Sequence, residues 1–283
     1  MDDLYFKMTG TAFDDGYRLD KTVAGMSGLQ HVMDGVYKGV TGKTRLTKKD
    51  REIYKLIAHD IEHGSLLVSL GAIYTGMQQV LPFFYSTEPD QLWEHTKTSA
   101  KFLYDIYKKA HEGNPVKIQQ NDEGVTVIAS GNDNETHIYK GPVYQIGTQI
   151  ISGFRELDDA LDEETVSGIY LGAKKDKEPA LKLSSDEKGI FHPPITVDTD
   201  PRSIRCDIFD FNKYDKVGKL LVSESQDIPE GKYKFKIVGR QDIEEFILSM
   251  TETQVEINCL VEYEHDPLTD TRIGSLLIVD IAA

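Results

Sequence analysis

The chain changes texture near residue 165. Before that point, stretches with helical periodicity alternate with short strand-like runs. After it, strand follows turn follows strand to the end. A helix must cover one apolar stripe and a sheet one apolar face, so a chain that switches period midway builds two cores. The expected architecture is α+β. A helix-rich α+β domain spans residues 1–164, and an all-β domain over 165–283 closes into a small barrel of the OB (oligonucleotide/oligosaccharide-binding) or SH3 type. A length of 283 residues suits two domains of ordinary size.

The first half is punctuated by recognisable starts and stops. Leu4–Thr9 forms a strand. Leu19, Val23, Met26, Leu29, Val32 and Val36 then recur at gaps of three and four, one stripe of a helix over 18–38. Gly25, Gly28 and Gly35 weaken that helix in isolation and admit close backbone packing. Thr47 with Asp50 three residues on predicts a capped helix, with Ile53, Ile57 and Ile61 on one face and Gly64 just past its end. Ser65–Leu70 follows as a strand, and Pro89 opens a helix to about His111. A hairpin pairs 116–120 with 125–130 around Asn121-Asp122-Glu123-Gly124. A last helix carries Val143, Ile146, Ile150, Phe154, Leu157 and Leu161.

In the second half, strand-like runs cover 169–171, 180–183, 204–211, 217–222, 233–238, 255–263 and 275–281. Tyr233, Phe235 and Ile237 alternate with Lys234 and Lys236, so one face is buried and the other wet. Gln241–Met250 interrupts the series as a short helix.

Charge narrows the function. A net charge of −15 repels nucleic acid over most of the surface and favours basic partners or cations. The two cysteines, Cys206 and Cys259, fall within strand-like runs, as small buried residues of a reduced, cytoplasmic protein do. The opening Met1–Lys7 has neither a basic nor an apolar leader region, and no apolar run reaches the ~18 residues of a membrane span.

Several motifs resemble chemistry without completing it. Gly39-Val40-Thr41-Gly42-Lys43-Thr44 has Tyr37 where a phosphate loop needs its first glycine, and it follows a helix, so it reads as a turn. His59 and His63 stand one helical turn apart, a spacing that holds a metal from one face, but Asp60 occupies the position of a zincin glutamate. Glu156, Asp158, Asp159, Asp162, Glu163 and Glu164 read as a solvated connector. Asp207, Asp210 and Asp215 with Lys213 and Lys216 have the residue types of a magnesium nuclease centre, on charged flanks of a core strand. Phe191-His192-Pro193-Pro194 is a stiff recognition loop. The lone Trp93, with Tyr5, Tyr37, Tyr107 and Tyr144, is expected at a subunit or domain contact. No serine or cysteine nucleophile signature and no dinucleotide glycine pattern occurs, and no cofactor is expected.

These readings favour a non-enzymatic binding or scaffold protein, an oligomeric accessory subunit of a bacterial or phage assembly that acts through self-association or a protein partner. The candidate binding residues are Trp93, His192, Lys234, Lys236 and Arg240; the candidate metal pair is His59 and His63. One alternative is a nucleic-acid or nucleotide sensor that uses the barrel, with Lys232, Lys234, Lys236 and Arg240 on its edge. A second is a metal-dependent hydrolase or nuclease.

Overall fold

In a computed structural model, residues 4–62, 65–74, 89–114, 116–120, 126–130, 135–174 and 176–281 are described. The α+β class with a C-terminal barrel is borne out. The chain divides into two compact units, Met1–His192 and Pro193–Ala283.

In the first unit an antiparallel sheet runs in the order β2 (Tyr54–Glu62), β3 (Leu66–Tyr74), β1 (Leu4–Thr9), β7 (Gly168–Ala173), β8 (Leu181–Ser184). β1 is central: Leu4 pairs with Leu70 on one side and with Ala173 on the other. This pairing moves the division to His192/Pro193, later than the expected 164/165, because β7 and β8 complete the first sheet. Helices α1 (Leu19–Thr41) and α4 (Val143–Ala160) pack closely. At Gly35 an added Cβ would lie 2.5 Å from the Gln149 carbonyl oxygen, so glycine sets the helix separation there. Leu29, Val32 and Val36 are buried as the stripe predicts, while Leu19 and Val23 at its start are exposed. Helix α3 (Pro89–His111) and a meander of β4 (Val116–Gln120), β5 (Thr126–Ser130) and β6 (Glu135–Tyr139) complete the unit. The expected turn at 121–124 lies outside the described residues.

The helix expected from Thr47 to Gly64 is corrected. Its start is right: Thr47 and Asp50 form a reciprocal capping box on α2 (Lys48–Ile53). The chain then becomes β2. A gap of four between Ile57 and Ile61 satisfies both periods, and pairing along β3 from Tyr54↔Tyr74 onward decides for the strand.

The acidic run is also corrected at one position. Asp158 is fully buried and accepts the backbone N–H groups of Gly189 at 2.9 Å and Phe191 at 3.2 Å. Burial raises its carboxyl above the ordinary value, and the two amide donors oppose the shift. Arg155 donates to the Phe191 carbonyl at 3.0 Å and to the Tyr107 hydroxyl at 2.9 Å, and the Phe191 ring lies 4.9 Å from that of Phe154. These contacts fasten residues 189–191 onto α4.

In the second unit β10 (Arg202–Asn212), β11 (Val217–Val222), β12 (Gly231–Ile237), β14 (Arg272–Ile281) and β13 (Val255–Glu264) follow one another, and β13 pairs back to β10 to close the barrel. The short β9 (Ile195–Val197) adds to β13. Numbered within the barrel, the order is 1-2-3-5-4-1, with β12 and β14 parallel and α5 (Ile243–Ser249) between the third and fourth strands. That is the OB arrangement of the two expected. Phe211, Phe235 and Phe246 stack inside, with centroids 5.6–6.3 Å apart.

Candidate nucleic-acid interface

The outer face of β11 and β12 is set by strand alternation. Leu220, Val222, Phe235 and Ile237 point into the barrel and are buried. Lys219, Lys232, Lys234 and Lys236 therefore point outward, and all four are exposed. Register places Lys219 opposite Lys234, Leu221 opposite Lys232 and Val217 opposite Lys236. β11 and β12 contain no acidic residue. Along β12 the lysines recur every second residue, roughly 6.6 Å apart. A like-charged pair directly across two strands is unfavourable for the sheet. Asp210 offsets part of that cost through an ion pair of 2.7 Å with Lys219.

At a bulge in β10 an aromatic ring stands on the same face. Ile208 pairs with Leu220 and Asp210 with Lys219, which leaves Phe209 as the extra residue. Phe209 is 46% exposed, and the Lys232 ammonium lies 5.8 Å from its ring centroid. In the β10–β11 turn, Tyr214 is 85% exposed, with the Lys213 ammonium 5.2 Å from its ring. The turn is held by Asn212, whose side-chain oxygen accepts the Tyr214 N–H at 3.0 Å. Gly218 lets β11 sit against the core, since an added Cβ would come within 2.4 Å of the Phe235 ring.

The other sequence-predicted residues do not join this face. Trp93 is buried and donates its indole N–H to Asp176 at 3.2 Å. Tyr37 and Tyr107 are buried too, so neither supplies the exposed contact surface expected of it. His192 pairs with Asp159 at 3.0 Å, at the end of the first unit. His59 lies in a strand, so the helical-turn spacing to His63 does not apply, and His63 itself lies outside the described residues. The carboxylates suggested for a nuclease diverge: Asp210 pairs with Lys219, Asp207 accepts from Gln254 and Ser223, and Asp215 accepts from Asn212. Among the described residues no group of three or more His, Cys, Asp or Glu side chains converges as a metal site. Cys206 and Cys259 are buried free thiols, pushed by burial up to about 12 and about 11, so neither is a ready nucleophile. Among the described residues no helix is long and apolar enough to cross a membrane.

Arg240, just past the end of β12, is exposed. Of the predicted residues, then, Lys232, Lys234 and Lys236 stand on one face, with Lys219 and Phe209 as additions, and Tyr214 is exposed in the neighbouring β10–β11 turn. No protein family matches the chain, and no curated protein or solved structure is similar to it.

Proposed function

We propose that this is a non-enzymatic binding protein whose barrel takes a single-stranded nucleic acid along β11 and β12. The observation that carries the reading is the ladder of outward lysines, free of acidic residues on its own two strands, beside the exposed ring of Phe209, with the exposed Tyr214 ring in the adjoining β10–β11 turn. Lysines neutralise successive phosphates, and exposed rings offer stacking surfaces to unpaired bases whatever their sequence. A duplex hides its base faces and gains nothing from those rings. The reading moves the barrel sensor ahead of the protein-scaffold role. The buried free thiols support a reducing, cytoplasmic setting for it.

The test is fluorescence anisotropy with a labelled single strand of about 12 nucleotides, within the span of one such barrel. Wild-type protein is expected to bind the single strand more tightly than the matching duplex. Phe209→Ala and Tyr214→Ala are each expected to lose about 1–3 kcal/mol of that binding. Equal affinity for strand and duplex, unaffected by either substitution, sinks the stacking role. Polyglutamate that competes as well as the oligonucleotide points instead to an acidic protein partner.

A further inference from the structure

A second polar surface lies in the first unit, far in sequence from the barrel. A cleft of about 390 Å³ is lined by α1 through His31, Asp34 and Lys38, by the loop after α1 through Thr44 and Arg45, by Arg51 of α2, and by α4 through Gln149, Ser152 and Glu156. The spacing on each helix is three then four, so each set forms one stripe.

The charges in this cleft sort into those that hold the framework and those that face the opening. Asp34 is buried and accepts a two-pronged pair from the Arg51 guanidinium as well as the Gln30 amide at 2.7 Å. His31 Nδ1 contacts Glu156 at 2.7 Å. On the other side of the loop, buried Asp50 takes an ion pair from Lys43 and closes the capping box with Thr47. Gly42 starts the loop at φ 66°, where the Lys43 N–H returns to the Lys38 carbonyl at 2.9 Å. Two buried carboxylates thus pin the segment that carries Thr44 and Arg45. Lys38 and Arg45 remain as cations that neither carboxylate engages, with the neutral donors Thr44, Gln149 and Ser152 around them. Two cations carried on a pinned backbone, with neutral hydrogen-bond donors around them, suit a compact, multiply charged oxyanion.

We infer that this cleft binds a small phosphate-bearing anion, with Lys38 and Arg45 as its principal ligands. The inference stands independently of the barrel reading. Titration calorimetry on the full chain with sodium pyrophosphate, and separately with a nucleoside monophosphate, tests it. Saturable binding of either is expected, weakened about tenfold or more by Arg45→Gln and by Lys38→Gln, since each removes a charge-assisted hydrogen bond. The quadruple glutamine variant of Lys219, Lys232, Lys234 and Lys236 is expected to retain it, which separates failure here from failure at the barrel. Both ligand-side residues are at least partly exposed, so the variants are expected to melt with the parent; Arg45→Glu serves as a second test by charge reversal. Tighter pyrophosphate binding identifies inorganic polyphosphate as the source, and tighter nucleotide binding identifies a free nucleotide. No saturable heat with either ligand, or affinity unchanged in both glutamine variants and in Arg45→Glu, overturns the inference.

Discussion

Replacing Lys219, Lys232, Lys234 and Lys236 together with glutamine isolates the electrostatic part of strand binding. The four side chains share the outer face of β11 and β12, and Lys219 stands directly opposite Lys234. Each phosphate neutralised on a single strand releases condensed counterions and adds about −0.7 to the slope of log affinity against log salt. Four contacts give a slope near −3, so affinity falls roughly 50-fold between about 50 and 200 mM salt. At about 100 mM, each contact is worth about fivefold, and losing all four lowers affinity by two orders of magnitude or more. The Lys219–Asp210 pair trims that total, because Lys219 gives up a partner at 2.7 Å to engage phosphate. The same substitution removes a like-charge juxtaposition, so the variant is expected to melt at or above the parent temperature. Anisotropy titrations at four salt concentrations on parent, variant and the single Lys234→Gln give the slopes, with the single change expected to remove about 0.7. A quadruple variant that folds normally and keeps the parental slope refutes the reasoning, because the counterions would then be released elsewhere.

Stability predictions follow from the interior. Lys216 holds φ at 54° in the β10–β11 turn; Lys216→Gly relieves roughly 1–2 kcal/mol of left-handed strain against a smaller gain in unfolded-chain entropy, so chemical denaturation is expected to show net stabilisation. Asp158→Ala leaves the half-buried Gly189 amide and the buried Phe191 amide without their acceptor and is expected to destabilise the first unit by about 2–3 kcal/mol, with earlier protease cleavage near residue 190 as the readout. Gly218→Val drives side-chain atoms into Phe235 and is expected to lower the barrel's melting temperature, while Gly42→Ala, with open space around it but a left-handed φ of 66°, costs about 1 kcal/mol by backbone strain alone. Asp50 sits buried, which raises its carboxyl, but hydrogen bonds from Lys43 and Thr47 prevail and hold it at about 2, below its ordinary 3.8. Its contribution is therefore present above pH 3.8 and lost as pH falls toward about 2, and Asp50→Asn is expected to flatten the stability profile across that window.

Period carried most of the fold. The barrel strands and α1, α3 and α4 were legible because alternation and three-four spacing persist over many residues, and Lys234 and Lys236 were legible as the wet side of a strand. What failed were decisions that distant partners make. Ile57 and Ile61 fit either period until β3 pairs alongside. The ends of β1 and β7 meet 169 residues apart in sequence, Leu4 with Ala173, and nothing local announces it. Tyr107 and Trp93 are expected at a contact surface, but each is buried with its polar atom on a partner distant in sequence: Arg155 for Tyr107 and Asp176 for Trp93, 48 and 83 residues away. Phe209 reads as core in company with Ile208 and Phe211, but it follows buried Ile208 on the outward side of the strand beside Lys232, and the bulge after Ile208 is what returns Phe211 to the interior.

A net charge of −15 disfavours nucleic acid over the whole surface but only weakly constrains a local face. At physiological ionic strength a charge is felt over about 8 Å, so carboxylates farther than that from the lysine ladder scarcely alter the potential a bound phosphate meets. On β11 and β12 themselves there are none; Asp210, the acidic residue in contact, is already spent on Lys219. The distant acids act instead on approach from afar, where field lines have not yet been screened. The two scales separate in experiment. Lowering ionic strength lengthens the reach of the whole-protein field, so association with a single strand should gain less from low salt than a uniformly basic protein with the same contact lysines would, while dissociation still follows the contact count. A strongly acidic protein that carries a lysine-rich face beside an exposed ring is therefore expected to owe its affinity for a strand to that local face rather than to its overall field.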